Sequence, residues 1–264
     1  MRVPIYQVDA FTRGVFGGNP AAVCPLERWL ADPVMQAIAA ENNLSETAFF
    51  VPAAGEAADY DIRWFTPAVE IDLAGHPTLA TAYVIFTRLD PARSRVTFRS
   101  KSGLLVATRD GERVAMDFPA RPPAPCEPPP GLAAALGAAP LATLLSRDLL
   151  AVFADEAEVR ALEPDFARLK ALGFHGVCVT APGGDCDFVS RFFAPAVGVN
   201  EDPVTGSTHC MLVPYWAGRL GRSRLSARQV SARGGELFCE DRGDRVVLAG
   251  HAAPYLEGVI EVPG

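Results

Sequence analysis

Phe65-Thr66-Pro67-Ala68-Val69-Glu70-Ile71-Asp72-Leu73-Ala74-Gly75-His76-Pro77 runs directly into an apolar stretch, Thr78-Leu79-Ala80-Thr81-Ala82-Tyr83-Val84-Ile85-Phe86. The arrangement returns at Phe193-Ala194-Pro195-Ala196-Val197-Gly198-Val199-Asn200-Glu201-Asp202-Pro203-Val204-Thr205-Gly206-Ser207. That copy leads into Thr208-His209-Cys210-Met211-Leu212-Val213. Each copy has an aromatic residue, a spacer and Pro-Ala-Val, then a glycine, a His or Ser, and an apolar run. This order predicts a strand, a loop and a helix N-terminus. A helix start carries unpaired backbone N–H groups and a partial positive charge, so chemistry on an anion is expected there.

The repeat extends past the motif. Gly103 to Pro122 aligns without gaps on Gly235 to Pro254, a constant offset of 235 − 103 = 132. At the motif glycine the offset is 206 − 75 = 131, and at the aromatic residue 193 − 65 = 128. Units this long are lobes rather than solenoid repeats. The expected boundaries are 1–118 for the first lobe, 119–131 for a linker containing seven prolines, and 132–264 for the second. The last strand, about 256–264, is left over from the pairing and free to return to the first lobe. Thr78–Phe86 and Thr208–Val213 are apolar on every face, which predicts buried helices. Each lobe is therefore read as strands wrapped around a central helix, an α+β fold. Pro214 predicts a bend or an early end in the second helix.

Elsewhere, alternation predicts a strand at Val3–Ala10, and Ala21–Cys24, Phe49–Val51 (a buried run) and Asp61–Phe65 also read as strands. Asp32-Pro33 reads as N-cap and first helical residue. Asp110-Gly111 and Arg242-Gly243 mark hairpin turns.

Composition narrows the function classes. The chain has 264 residues, 49% of them hydrophobic, and a formal charge of −7, which argues against a nucleic-acid or anionic-membrane partner. No stretch approaches a membrane span, and the N-terminus lacks the pattern of a signal peptide, so a cytoplasmic protein is expected. The six cysteines are scattered, without Cys-x-x-Cys, and read as reduced thiols. His76, His175, His209 and His251 show no metal-ligand spacing, so no metal is expected. Gly14 to Pro20 is not a Gly-x-Gly-x-x-Gly loop, and no cofactor is expected.

Two such lobes are expected to set their helix starts face to face across a cleft, Gly75-His76 opposite Gly206-Ser207. Backbone N–H groups there suit a carboxylate or a developing enolate. Glu46, His76 and Asp202 are the ionisable groups expected nearby. A carboxylate in a desolvated cleft both gives and takes a proton. That chemistry suits proton transfer at carbon: racemisation, epimerisation or double-bond migration.

Asp9-Ala10-Phe11-Thr12, Gly18-Asn19-Pro20-Ala21-Ala22-Val23, Asn43-Leu44-Ser45-Glu46-Thr47-Ala48-Phe49, Arg63-Trp64-Phe65-Thr66-Pro67, Ala74-Gly75-His76-Pro77-Thr78 and Glu201-Asp202-Pro203-Val204-Thr205-Gly206-Ser207 together resemble the phenazine-biosynthesis PhzF-like family. The resemblance covers nearly the whole chain. It implies the diaminopimelate epimerase fold: two pseudo-symmetric lobes, each a β-barrel around a central helix. It implies a homodimer and a cofactor-independent isomerase acting on a small carboxylate-bearing substrate. By the same resemblance Glu46 is the acid/base, His76, Asp202 and Ser207 contact substrate, and Gly75 and Gly206 bind its carboxylate. A two-thiol racemase is not expected, because Ala74 precedes Gly75 and Pro203-Val204 precede Thr205-Gly206. The other reading is a carboxylate-binding or regulatory protein that kept the architecture without turnover.

Overall fold

The computed structural model is described for residues 1–262; the last two residues of the expected 256–264 strand lie outside the described residues. The chain forms two compact units, Met1–Asp117 with the segment returning from Ala249, and Phe118–Leu248.

The first unit runs β1 (Arg2–Ala10), β2 (Asn19–Pro25), α1 (Asp32–Asn42), β3 (Glu46–Pro52), β4 (Tyr60–Phe65), β5 (Glu70–Ile71), α2 (Gly75–Val84), β6 (Arg95–Ser100), β7 (Gly103–Asp110) and β8 (Arg113–Pro119). β1 pairs antiparallel with β2, β2 parallel with β3, β3 antiparallel with β4, and β4 antiparallel with β5 and parallel with β6. β6, β7 and β8 close as an antiparallel meander. α2 packs against β1, β2, β3 and β7 and is buried from His76 to Ala82. Burial all round follows from its lack of a polar face. Its threonines answer their own hydroxyls: Thr78 Oγ1 donates to the Ala74 carbonyl at 2.6 Å and Thr81 Oγ1 to Pro77 at 2.7 Å. The helix then widens into a π-turn over Ile85–Leu89. Asp32 is not the cap of α1; Ala31 is, and Asp32 turns outward to Arg63 Nη1 at 2.8 Å.

The second unit runs β9 (Ala124–Pro125), α3 (Leu132–Leu136), β10 (Ala142–Leu145), β11 (Leu149–Val152), α4 (Glu156–Ala161), α5 (Phe166–Ala171), β12 (Val177–Pro182), β13 (Phe188–Ala194), β14 (Val199–Asp202), α6 (Gly206–Leu220), β15 (Arg224–Gln229), β16 (Gly235–Asp241) and β17 (Arg245–Gly250). Its pairing repeats the first: β10 antiparallel to β11, β11 parallel to β12, β12 antiparallel to β13, and β13 antiparallel to β14 and parallel to β15. β15 and β16 form the matching hairpin. α6 packs on β15 and β16, with Thr208–Val213 buried.

Pro214 does not end α6 early; the helix continues to Leu220. The proline has no N–H to give the carbonyl four residues back, that of Cys210. That carbonyl instead accepts from the Arg121 backbone N–H at 2.9 Å. The donor comes from the proline-rich stretch 119–131. This stretch lies within the second unit, and β9 inside it pairs antiparallel with β10.

The returning strand, β18 (Ala252–Glu261), pairs antiparallel with β1 along its whole length, with one register shift at Gln7/Val8. It begins earlier than the 256 expected from sequence. By the 132-residue offset, Ala124-Pro125 corresponds to Leu256-Glu257, so β9 and β18 are equivalent. The strand left over from the pairing is the counterpart of the proline-rich stretch.

Candidate active site

The turn between β1 and β2 positions the first group of residues. Gly18 has φ +61°, and a Cβ there would meet the Ala10 carbonyl oxygen at 2.1 Å, so only glycine fits. Asp9, buried, accepts the Phe16 backbone N–H at 2.9 Å and ties the loop down. β2 then leaves the turn at Asn19-Pro20 and pairs with β3 so that Ala21 sits beside Glu46, the first residue of that strand.

His76 is the second residue of α2 and is buried. Its ring donates to the Pro20 carbonyl; Nε2 makes no hydrogen bond, so the donor is Nδ1. Nε2 stands 3.1 Å from Glu46 Oε2, with side chains only 7% and 17% exposed. Burial pushes the imidazole down to about 3, more than the Pro20 carbonyl raises it. His76 is therefore neutral near pH 7. Its Nε2 turns a lone pair, not a proton, toward the carboxyl of Glu46.

In the second unit, Asp202 ends β14 and Gly206 and Ser207 open α6. Thr205 is the N-cap residue by position, and its hydroxyl donates to Asp202 Oδ2. Gln229, fully buried, fixes this junction from β15. Its Oε1 accepts the Thr205 N–H at 2.8 Å, and its Nε2 donates to the Asp202 carbonyl at 2.7 Å. Ser207 is half-buried and is the positional equivalent of His76, 207 − 76 = 131. His209, the equivalent of Thr78, donates from Nδ1 to the Thr205 carbonyl at 2.8 Å, and burial pushes it down to about 4. Cys210 is buried one residue further, and burial pushes its thiol up to about 12, which leaves it unreactive.

The structure thus brings Glu46, His76 and Gly75 together in the first unit. It gathers Asp202, Gly206 and Ser207 at one strand–helix junction in the second.

Sequence reading missed the clamps behind both junctions. In the first unit Arg63 forks onto Glu70, Nε to Oε1 at 2.7 Å and Nη2 to Oε2 at 2.8 Å. In the second Arg191 forks onto Glu201 with the same atom pairing, at 2.8 and 3.0 Å. Each guanidinium also lies over the ring two residues on, Phe65 at 5.2 Å and Phe193 at 5.0 Å. Arg63 and Arg191 differ by 128, the offset of Phe65 and Phe193. That shared spacing was the available signal. Bidentate pairing holds Glu70 well below the usual carboxylate range, at about 2. The clamps tie the strand entering each motif to the short strand leaving it, and so fix where α2 and α6 begin. Gln229 carried no such signal, because its partners come from the fold.

An α+β chain with this internal repeat has the architecture of the PhzF and epimerase-like proteins. It belongs to the phenazine biosynthesis-like protein family, whose model matches residues 8–258. An uncharacterized isomerase of Pseudomonas aeruginosa is 56% identical, over 99% of this chain and 100% of its own length. The crystal structure of a phenazine biosynthesis protein of the PhzF family from Enterococcus faecalis is 50% identical, with a TM-score of 0.95 covering 99% of this chain and 100% of that one. A hydroxyproline epimerase from Agrobacterium vitis shares the fold at 12% identity, with a TM-score of 0.62 over 98% of this chain and 92% of its own. Among the described residues no helix is long and apolar enough to cross a membrane, and no cluster of His, Cys, Asp or Glu could hold a metal ion.

Proposed function

We propose that this protein is a cofactor-independent isomerase that moves a proton at carbon on a small carboxylate-bearing substrate, by a 1,3-shift, double-bond migration or epimerisation. The observation that carries this is the neutral His76 Nε2 held 3.1 Å from Glu46 Oε2. Two acceptor atoms so close favour a proton between them, and burial disfavours placing a positive charge on the imidazole. A proton taken up by Glu46 therefore finds an acceptor beside it, and its release leaves a carboxylate able to take another. That is the requirement for one group acting in turn as base and acid.

In the proposed step the Glu46 carboxylate removes a proton from a carbon of the substrate. The C–H electron pair moves into the adjacent unsaturated or carboxylate system. Glu46 then returns the proton to another carbon on the same face for a shift or double-bond migration; in an epimerisation the carbon takes a proton from water on the opposite face and Glu46 releases its own to solvent. His76 orients the carboxyl. By the family resemblance, the backbone N–H groups at Gly75 and Gly206 and the hydroxyl of Ser207 are assigned to the substrate carboxylate, and Asp202 to a polar substituent. The isomerase named among the relatives is consistent with this reading.

The test is solvent exchange. The protein is incubated in D2O with a panel of cyclic, unsaturated and amino-acid carboxylates, and deuterium at carbon is read by NMR. Incorporation by the wild type and its loss in Glu46→Gln support the proposal. Saturable carboxylate binding with no incorporation across the panel supports a binding or regulatory protein instead.

A further inference from the structure

A cavity of about 400 Å³ lies in the first unit at the far end of α2. Its wall includes Tyr83, Phe86, Arg13, Arg109, Arg113 and Glu112. From His76 to Phe86 is ten residues, roughly 15 Å along the helix at about 1.5 Å per residue, so this cavity is remote from Glu46 and His76. Its size falls within the range of small-molecule sites.

Its charge is opposite to that of the chain. Of the described residues lining it, three are arginines and Glu112 alone is acidic, in a protein of net charge −7. The C-terminal end of a helix repels anions, and one arginine offsets that here: Arg109 Nη2 donates to the carbonyl oxygens of Phe86 and Pro91 while its guanidinium covers the Phe86 ring at 5.5 Å. The other two carry ion pairs that a ligand can exchange. Arg13 meets Glu112 at 3.4 Å with both side chains mostly in solvent, 62% and 85% exposed. Arg113 meets Asp110 at 2.8 Å on the adjacent turn. An exposed pair such as Arg13–Glu112 holds weakly, while the Arg113 side chain is half-buried. Tyr83, Val114 and Ala252 supply the apolar part of the wall.

We propose that this cavity binds a small organic oxyanion, a carboxylate or phosphate ester carrying an apolar group, at a site separate from Glu46 and His76. The anionic head replaces Glu112 on Arg13 and engages Arg113; the apolar group lies against Tyr83.

Calorimetric titration with phenylacetate, phenyl phosphate and inorganic phosphate tests this on the full chain. Saturable binding of either phenyl compound is expected, stronger than that of inorganic phosphate, and the better of the two identifies the head group. Arg13→Gln/Arg113→Gln, checked for folding by circular dichroism, is expected to weaken binding roughly tenfold or more, the loss expected for one or two charge-assisted hydrogen bonds. Glu112→Gln is expected to strengthen it by removing the competing carboxylate. Glu46→Gln is expected to leave it unchanged, which separates this site from the proposed catalytic one. The proposal is overturned if neither phenyl compound binds at millimolar concentration. It is also overturned if the arginine substitutions leave binding intact, or if Glu46→Gln abolishes it.

Discussion

Gly18, at positive φ where a Cβ would strike the Ala10 carbonyl, allows the turn that leads into Asn19-Pro20. The Pro20 carbonyl accepts from the His76 ring, whose bare nitrogen faces Glu46. Glu46→Gln is expected to lower kcat by about 10²–10⁴-fold while substrate affinity changes little, because the amide keeps the shape but carries no proton. His76→Ala should lower kcat and also raise KM, since orientation and contact are lost together. Steady-state kinetics separate the two. A Glu46→Gln variant that still exchanges solvent deuterium at the wild-type rate would show that another group is the base.

Buried neutral histidines also make the fold acid-sensitive. His76 and His209 sit at about 3 and about 4 in the folded chain, below the usual imidazole value. Between about pH 6.5 and those values the unfolded chain binds more protons than the folded one, so stability is present above about 6.5 and is lost as pH falls. Removing the titration with His209→Gln, which keeps a donor for the Thr205 carbonyl, should recover on the order of 2 kcal/mol of that loss near pH 5. Urea unfolding of both proteins near pH 7 and near pH 5 measures it. Equal pH slopes would show that His209 is not neutral by burial.

At the scale of elements, the N-termini of α2 and α6 are held by the Arg63–Glu70 and Arg191–Glu201 forks, and α6 is carried across Pro214 by Arg121. Arg121→Pro removes the donor and leaves the Cys210 carbonyl without it, at a cost of about 1–3 kcal/mol. Pro214→Ala restores an intrahelical N–H to the same carbonyl. The double variant should therefore lose less than the sum of the singles, and a denaturation cycle over the four proteins tests this. Additive losses would mean the two donors do not share that acceptor. The Glu70 carboxylate, at about 2, adds a second acid-dependent term: its contribution is complete above about pH 4.5 and disappears toward about 2. Glu70→Gln should flatten the stability profile in that window.

The elements were legible where a period or a turn dictated them. The all-round apolar runs gave both buried helices, and Asp110-Gly111 gave the β7–β8 hairpin. His76 and the two motif glycines stood out because the motif repeats, and Glu46 because Leu44-Ser45-Glu46-Thr47 resembles the family's pattern. What stayed hidden depends on partners far away in the chain. Pro214 ends a helix on propensity alone, and only tertiary structure supplies Arg121. The proline-rich stretch reads as a linker because proline cannot donate within a sheet, yet an edge position needs no such donor, and β9 takes one. Gln229 has no local signature at all.

For the whole molecule, the repeat is one of pairing order as well as sequence, and each unit is completed by a strand that follows the other unit's last hairpin. β18 covers β1, whose inward residues Val3 and Ile5 belong to the core with Ile260 and Val262 packed on or within the same cluster. Deleting residues from Ala252 onward, which removes β18 and spares β17, should therefore unfold the first unit while leaving the strands of the second complete. Native-state hydrogen exchange reads this directly: protection is expected to vanish in β1 and β2 and to persist in β11 and β12. Retained protection in β1 would show that β18 is dispensable.

That exchange of closing strands has a bearing on synthesis. A chain made from its N-terminus supplies residues 118–248 in full before the ribosome has reached the strand that closes Met1–Asp117. The half translated first is thus the half finished last. Until β18 emerges, β1 presents an open edge on the growing polypeptide, and the downstream half has its complete set of strands while the upstream half is still waiting.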